Sequence, residues 1–218
     1  MKVHISFSGG FVDVYSNDVV NSVESTGNNE LPGVCNVGDV MEFTLTDGEP
    51  VSAMVVKVDK DIATLIFFDC LKDEIQMRKD GDYSDGYESS DLRETLNSHT
   101  IKRFPSDIRE KMVPFVNGDY LRIPTEKEIF GVNKYGEAEP DDVEQFEPMK
   151  LRRNRIAFQG LNGNPEWYWL QNRSVSSAAN ACLVIGYGGA AHDSASTSFG
   201  VRPLFQYRIH PAAFGGDA

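Results

Sequence analysis

The sequence predicts an α+β fold of antiparallel strands, short packing helices and long irregular loops. Three observations carry that prediction. Apolar runs of strand character follow one another between Val40 and Phe68, divided by the turn strings Asp47-Gly48-Glu49-Pro50 and Asp59-Lys60-Asp61. Helix-initiating strings recur three times between Ser90 and Gly131, each ahead of only a few periodic residues. Strand-like runs return after Trp169, around the turn string Gly186-Tyr187-Gly188-Gly189. At 218 residues with 40% hydrophobic content the chain can bury one sizeable core. We therefore expect an N-terminal strand and loop segment over 1–35 and a main domain over 36–218.

Residues 1–30 hold the alternating run Val3-His4-Ile5-Ser6-Phe7 and then a Ser/Asn/Asp/Gly-rich stretch ending at Gly27-Asn28-Asn29, which predicts a strand or two and a loop. Val40–Leu45, Val51–Val58 and Ile62–Phe68 predict a three-stranded antiparallel meander. Asp69–Glu88 is charged and broken by Asp80-Gly81-Asp82 and Asp85-Gly86. It predicts an exposed loop, because the ligand series of a calcium-binding EF-hand and its terminal Glu are missing.

Ser90-Asp91 precedes Leu92-Arg93-Glu94-Thr95-Leu96, with Asp91 and Glu94 spaced as a capping box and two leucines on one face. Ser106-Asp107 opens a helix over Ile108–Met112 that Pro114 ends. Thr125 and Glu128 form a T-x-x-E box that opens Glu126–Phe130, and Gly131 supplies the stop. Lys134–Glu147 is acidic and carries Gly and Pro, which predicts a disordered or inserted loop. The basic cluster Lys150–Arg155 follows it, and pairing with that acidic loop accounts for the cluster more simply than a phosphate site.

A net charge of -12, with 33 acidic against 21 basic residues, argues against nucleic-acid binding, since phosphate backbones reward clustered Lys and Arg. No apolar run approaches the roughly 20 residues that span a bilayer, and the start MKVHISFSGG has no apolar signal-like core. No membrane insertion and no export signal are expected. Cys35, Cys70 and Cys182 are far apart and lack CxxC spacing, so free buried thiols are expected. His4, His99, His192 and His210 are equally scattered, so neither a metal nor a cofactor is expected.

The 29 residues from Asn172 to Gly200 contain no Lys, Glu, Gln, Met, Trp or Pro. Lys, Glu, Gln, Met and Trp together make up 38 of the 218 residues, so about five would fall in this stretch by ordinary usage. Trp167-Tyr168-Trp169 opens the stretch and Gly200-Val201-Arg202-Pro203 closes it, both predicted as rigid flanks. Within it Ala181–Ile185 predicts a strand that sends Cys182 and Val184 to one face and Ala181, Leu183 and Ile185 to the other. Tyr187 is expected at the tip of a turn over 186–189, and Ala190 begins the return. Phe199, Val201, Leu204, Phe205 and Tyr207 predict a terminal strand whose Pro203 suits an edge or a bulge.

The order Ser90-Asp91-Leu92-Arg93 with Leu96-Asn97, then Arg122-Ile123-Pro124-Thr125-Glu126-Lys127-Glu128, then Trp169-Leu170, then Gly200-Val201-Arg202-Pro203, resembles a family of bacterial and phage domains of unknown function. That family has the C-type lectin-like fold of the formylglycine-generating enzymes, whose R-L-P-T-E-x-E-W string is similar to residues 122–129. The resemblance spans roughly 36–208 and implies that fold here. Two departures stand out. Gln171-Asn172-Arg173 replaces the usual Arg-Ser-Pro, and Cys182 is alone where those enzymes use a cysteine pair, so copper-dependent thiolate oxidation is not expected.

A narrower frame, Ala181-Cys182-x-Val184, Gly188-x-Ala190, Ala195-Ser196-x-Ser198-x-Gly200-Val201-Arg202-Pro203, resembles the variable region of diversity-generating retroelement proteins such as phage tropism determinants. In those systems a reverse transcriptase mutates template adenines, typically in AAC codons. Codons randomised at their first two bases end in C and cannot encode Lys, Glu, Gln, Met or Trp. The resemblance implies a variable region over about 172–200. Its ligand-contacting positions would be Leu183, Ile185, Gly186, Tyr187, Gly189, Ala191, His192, Asp193, Ser194, Thr197 and Phe199, with Asn172, Ser174 and Ser176 upstream. Tyr187, Phe199, Leu183 and Ile185 would supply apolar area, and His192, Asp193, Ser194 and Thr197 adaptable hydrogen bonds. Core strand residues are the alternative for Leu183 and Ile185. Arg202 is expected to hydrogen-bond loop carbonyls or a carboxylate.

The function implied is non-enzymatic recognition of a protein or glycan ligand, in a phage virion component or in the bacterial cytoplasm, with a homo-oligomer possible. A catalytically altered relative of the formylglycine-generating enzymes, using His192 and Asp193 as acid and base, is the first alternative. A structural subunit that buries the same surface against a neighbour is the second.

Overall fold

The computed structural model describes residues 2–7, 10–15, 35–160 and 163–209. Strands β1 (Lys2–Phe7) and β2 (Gly10–Tyr15) form an antiparallel hairpin with Phe7 opposite Gly10, matching the strand or two expected there. The loop expected up to Asn29 lies outside the described residues, as does His210.

Strands β3 (Val40–Thr44), β4 (Pro50–Asp59) and β5 (Ile62–Phe67) form the expected antiparallel meander. Period-2 geometry turns Met41 and Phe43 of β3 inward while Val40, Glu42 and Thr44 face water. The stretch 69–88, expected as an exposed loop, instead carries β6 (Ile75–Gln76) and buries Cys70, Leu71, Met77, Tyr83 and Tyr87 in two apolar clusters. Its Asp80 and Asp82 carboxylates accept backbone N–H groups two residues on.

Helix α1 (Asp91–Ser98) buries Leu92 and Leu96 as predicted. Its cap is Ser90, whose hydroxyl accepts the Arg93 N–H at 3.1 Å, while Asp91 accepts the Lys79 N–H instead. Helix α2 (Ser106–Arg109) is a single turn. The helix expected to reach Met112 stops short because β7 (Met112–Val113) pairs with the last strand of the chain. Helix α3 (Glu126–Phe130) has the predicted capping box between Thr125 and Glu128 and ends at Gly131, whose φ of 76° provides the left-handed stop.

The later strands are β8 (Ala157–Phe158), β9 (Pro165–Glu166), β10 (Tyr168–Ser174), β11 (Ser177–Val184), β12 (Ala190–Ser194), β13 (Ser198–Phe199) and β14 (Leu204–Arg208). The five-stranded sheet runs β3-β4-β5-β14-β7 and the second sheet runs β10-β11-β12, both antiparallel. Pro203 was expected to mark an edge or a bulge. The strand that follows it is interior, because Pro203 lies just outside β14 and offers its carbonyl to Phe67 N–H at 3.0 Å.

β11 stands between two apolar clusters. Ala181, Leu183 and Ile185 join Trp169, Val201, Phe205 and the meander, while Cys182 and Val184 join Tyr168, Leu170, Ile129 and Met149. Arg202 is fully buried. Its guanidinium donates to the carbonyls of Phe67 (2.6 Å) and Asn154 (2.9 Å) and to the Tyr168 hydroxyl (3.2 Å), so it ties β5, the loop before β8 and β10 together.

The acidic stretch 134–147, expected to be disordered or inserted, is an ordered part of the packing because its backbone meets buried carboxylates. Glu126 is fully buried and accepts Tyr135 N–H and Gly136 N–H, both at 2.9 Å. Glu139 accepts Lys127 N–H (2.9 Å) and the Asn172 amide (2.8 Å). Gly136 is needed there, since a Cβ would stand 2.5 Å from Asn172 Cβ. Among the described residues no helix is long and apolar enough to cross a membrane.

Candidate functional site

The β11–β12 hairpin and the turn that joins it position most of the candidate residues. The register pairs Leu183 with Ala191, Cys182 with His192 and Ala181 with Asp193. Ile185 N–H bonds Gly189 C=O and Ala195 N–H bonds Ala179 C=O, each at 2.9 Å. Antiparallel alternation then makes Leu183/Ala191 and Ala181/Asp193 the hydrogen-bonded pairs. The N–H and C=O of Ala190 and His192 therefore point away from β11, along the outer edge of the sheet. Ser194 points the same way, but its N–H is taken by the Asp193 carboxylate (2.6 Å) and its C=O by Thr197 N–H (2.9 Å).

The turn over 185–189 is closed by Gly188 N–H on Ile185 C=O at 2.7 Å, with Gly188 at φ 76°. Tyr187 projects from its tip, 61% exposed. Arg152 braces it from outside the hairpin: its Nε–H donates to the Tyr187 carbonyl at 2.8 Å and its guanidinium lies 5.2 Å from the ring centroid. The basic cluster is therefore only partly explained by acidic partners, because Lys150 pairs with Glu147 while Arg152 holds the turn and Arg155 lies over Phe130.

Two groups of candidate residues need correction. Leu183 is fully buried and Ile185 nearly so, both inside the larger apolar cluster, so neither side chain offers surface to a ligand. Their face of β11 packs on Trp169, which is the core-strand alternative. Asn172 and Ser174 are also buried. Asn172 accepts Glu126 N–H at 2.6 Å and donates to Glu139, and Ser174 hydrogen-bonds Ser176, so the first holds α3 to β10 and the second faces inward.

The remaining candidates reach solvent to differing degrees. Tyr187, Thr197 and Ser176 are exposed, and Gly186, Gly189, Ala191, His192, Asp193, Ser194 and Phe199 are half-buried. His192 Nδ1 lies 3.1 Å from the Asn180 amide and its ring 5.1 Å from Tyr135. Asp193 occupies the next position on the strand and so the opposite face, which keeps the two from meeting as an acid–base pair. Phe199 is held edge-on to buried Trp169 at 4.9 Å and stacks beneath Trp167 at 5.7 Å. Trp167, expected only as a rigid flank, is 41% exposed.

Tyr135, Arg152 and Trp167 were not among the expected contact residues, yet all three border the hairpin. Only the aromatic block at 167–169 carried a signal in sequence, since Tyr135 and Arg152 come from loops whose approach is set by tertiary packing. Burial raises the Cys70 thiol, and burial together with the carboxylates of Glu126 and Glu139 raises Cys182. Burial, with Asp39 nearby, brings Cys35 to about 11. All three cysteines are free and buried. Among the described residues no three His, Cys, Asp or Glu side chains converge as a metal site would need.

No family model, curated protein or solved structure matches this chain. The arrangement of strands, mostly antiparallel with a few short helices, is that of an α+β domain.

Proposed function

We propose that the chain is a non-enzymatic ligand-binding protein of C-type lectin-like fold, whose C-terminal surface is varied by a diversity-generating retroelement to recognise protein or glycan ligands. One observation carries the reading. Nine of the twelve frame positions, Ala181, Cys182, Val184, Gly188, Ala195, Gly200, Val201, Arg202 and Pro203, are buried, while Ala190 and Ser196 are half-buried and Ser198 is exposed. Of the eleven positions between them nine, Gly186, Tyr187, Gly189, Ala191, His192, Asp193, Ser194, Thr197 and Phe199, reach solvent. A protein that accepts many side chains at fixed positions needs them off the core, because packed interiors resist changes of even one methylene. Leu183 and Ile185 are the two between-frame positions that are buried, and both belong to the scaffold. The C-type lectin-like fold is supported by the antiparallel strands, the short helices and the long ordered loops.

The test is at the locus. Sequencing around the gene is expected to find a reverse transcriptase and a near-copy of the segment encoding residues 172–203, with differences confined to adenines of the copy. Absence of such a copy, or differences at other bases, defeats the diversification reading. Replacing Tyr187 and Phe199 together by alanine, with an identified ligand, checks the placement of the surface, and unchanged affinity would refute it.

A further inference from the structure

Trp167 stands outside the variable stretch, and its indole is an exposed aromatic surface fixed from below. Phe199 stacks on it with planes 18° apart, and Phe199 in turn rests on fully buried Trp169, whose indole N–H donates to Ile75 C=O at 2.8 Å. The backbone is equally fixed, since Gly200 N–H donates to Trp167 C=O at 2.8 Å. Gly186 of the variable turn approaches the same ring, where an added Cβ would lie 3.5 Å from Trp167 Cδ1.

The electrostatics at this surface are one-sided. Glu166 directly precedes the tryptophan, and its carboxylate accepts the Trp167 N–H at 2.7 Å. Gly200 lets it lie there, because a Cβ at that position would stand 2.6 Å from Glu166 Cγ. Pairing of β13 with β6 sets Phe199 opposite Ile75, and so brings exposed Glu74 to the same place. Burial raises the Glu166 carboxyl, and Glu74 raises it further by its charge and by a hydrogen bond between the two side chains. Among the described residues neither carboxylate stands in a salt bridge, and Lys72 pairs with Asp47.

We infer that the open surface of Trp167, with the carboxylates of Glu166 and Glu74 beside it, receives a cationic side chain, lysine or arginine, from a protein ligand. An indole attracts such a cation through its ring quadrupole, and the carboxylates complement its charge. This rests on the proposed ligand-binding function and names its ligand class: a protein presenting a basic residue, docked beside the variable turn at residues that are themselves outside 172–203.

The probe is Nα-acetyl-arginine amide, titrated into the full-length ¹⁵N-labelled protein while the two indole N–H signals are followed by NMR. Trp167→Phe assigns them. Saturable movement of the Trp167 signal is expected while that of Trp169 stays still, with binding about threefold or more weaker in Glu166→Gln and in Glu74→Gln, the scale of an exposed charge interaction. Glu74 is exposed, so its variant keeps the fold if Glu166→Gln does not. Nα-acetyl-glutamine amide should leave both signals unmoved. Three results overturn the inference: no saturable movement, equal affinity in the Glu74→Gln variant, or movement with methyl glucoside and none with the arginine probe, which would indicate a glycan site. Glu74, Glu166 and Trp167 lie outside residues 172–203, so a gene without a template copy would defeat diversification and leave this result standing.

Discussion

At the scale of single residues, burial separates scaffold from surface more sharply than chemistry does. Leu183 and Tyr187 are both apolar contact candidates by type, but one is enclosed by the core and the other projects from a turn. Leu183→Ala is expected to cost about 2–5 kcal/mol in urea unfolding and Tyr187→Ala within about 1 kcal/mol. Equal costs would show that the two do not differ in this way. Asp69 gives a pH-dependent counterpart. Burial raises its carboxyl, against the Phe158 N–H that it accepts at 3.1 Å and the charge of Arg202. With the folded value above the unfolded one, about 3.9, its contribution to stability is full below that unfolded value and is lost as pH rises through the folded one. Asp69→Asn should therefore flatten the fall in unfolding midpoint from about pH 4 upward. An unchanged slope would assign the fall to other groups.

At the scale of elements, what was legible in sequence was what local chemistry decides. The capping box at Thr125 and Glu128 needs only four consecutive residues, and the faces of Ala181–Ile185 follow from strand geometry alone, so both were readable. Three features were hidden because distant partners decide them. Met112–Val113 leaves its helix for β14, β14 is drawn between β5 and β7 in spite of Pro203, and the acidic stretch 134–147 is ordered by the Glu126 carboxylate, which composition cannot distinguish from a solvated charge. The site shows the same division. The turn and Tyr187 were visible, whereas the brace from Arg152 was not, since it joins residues 35 apart. That brace acts on the carbonyl of residue 187 and so does not depend on which side chain stands there. Arg152→Ala should raise hydrogen exchange across 186–189 about tenfold or more if the bond contributes about 1.4 kcal/mol to closing the turn. Tyr187→Ser should leave exchange there nearly unchanged. The reverse order would make the ring, not the backbone bond, the brace.

At the scale of the whole molecule, the two apolar clusters and the buried Arg202 hold the hairpin from both sides, while its outer edge and its turn remain available. A net charge of -12 surrounds that arrangement, which favours basic partners by long-range attraction and makes their association sensitive to salt. The alternation of hydrogen bonds along β12 has a genetic consequence under the proposed diversification. A randomised codon ending in C can encode proline, which lacks the N–H that Ala191 and Asp193 give to β11 but that His192 directs outward. Proline is tolerated where the N–H faces away from the ladder and not where it is bonded. Sequencing the folded members of a library randomised at 191–193 should therefore recover proline at 192 and exclude it at 191 and 193. Proline at all three would mean that the ladder does not constrain them. If the pattern holds, the parity of one strand sets the fraction of newly written genes that are lost at birth.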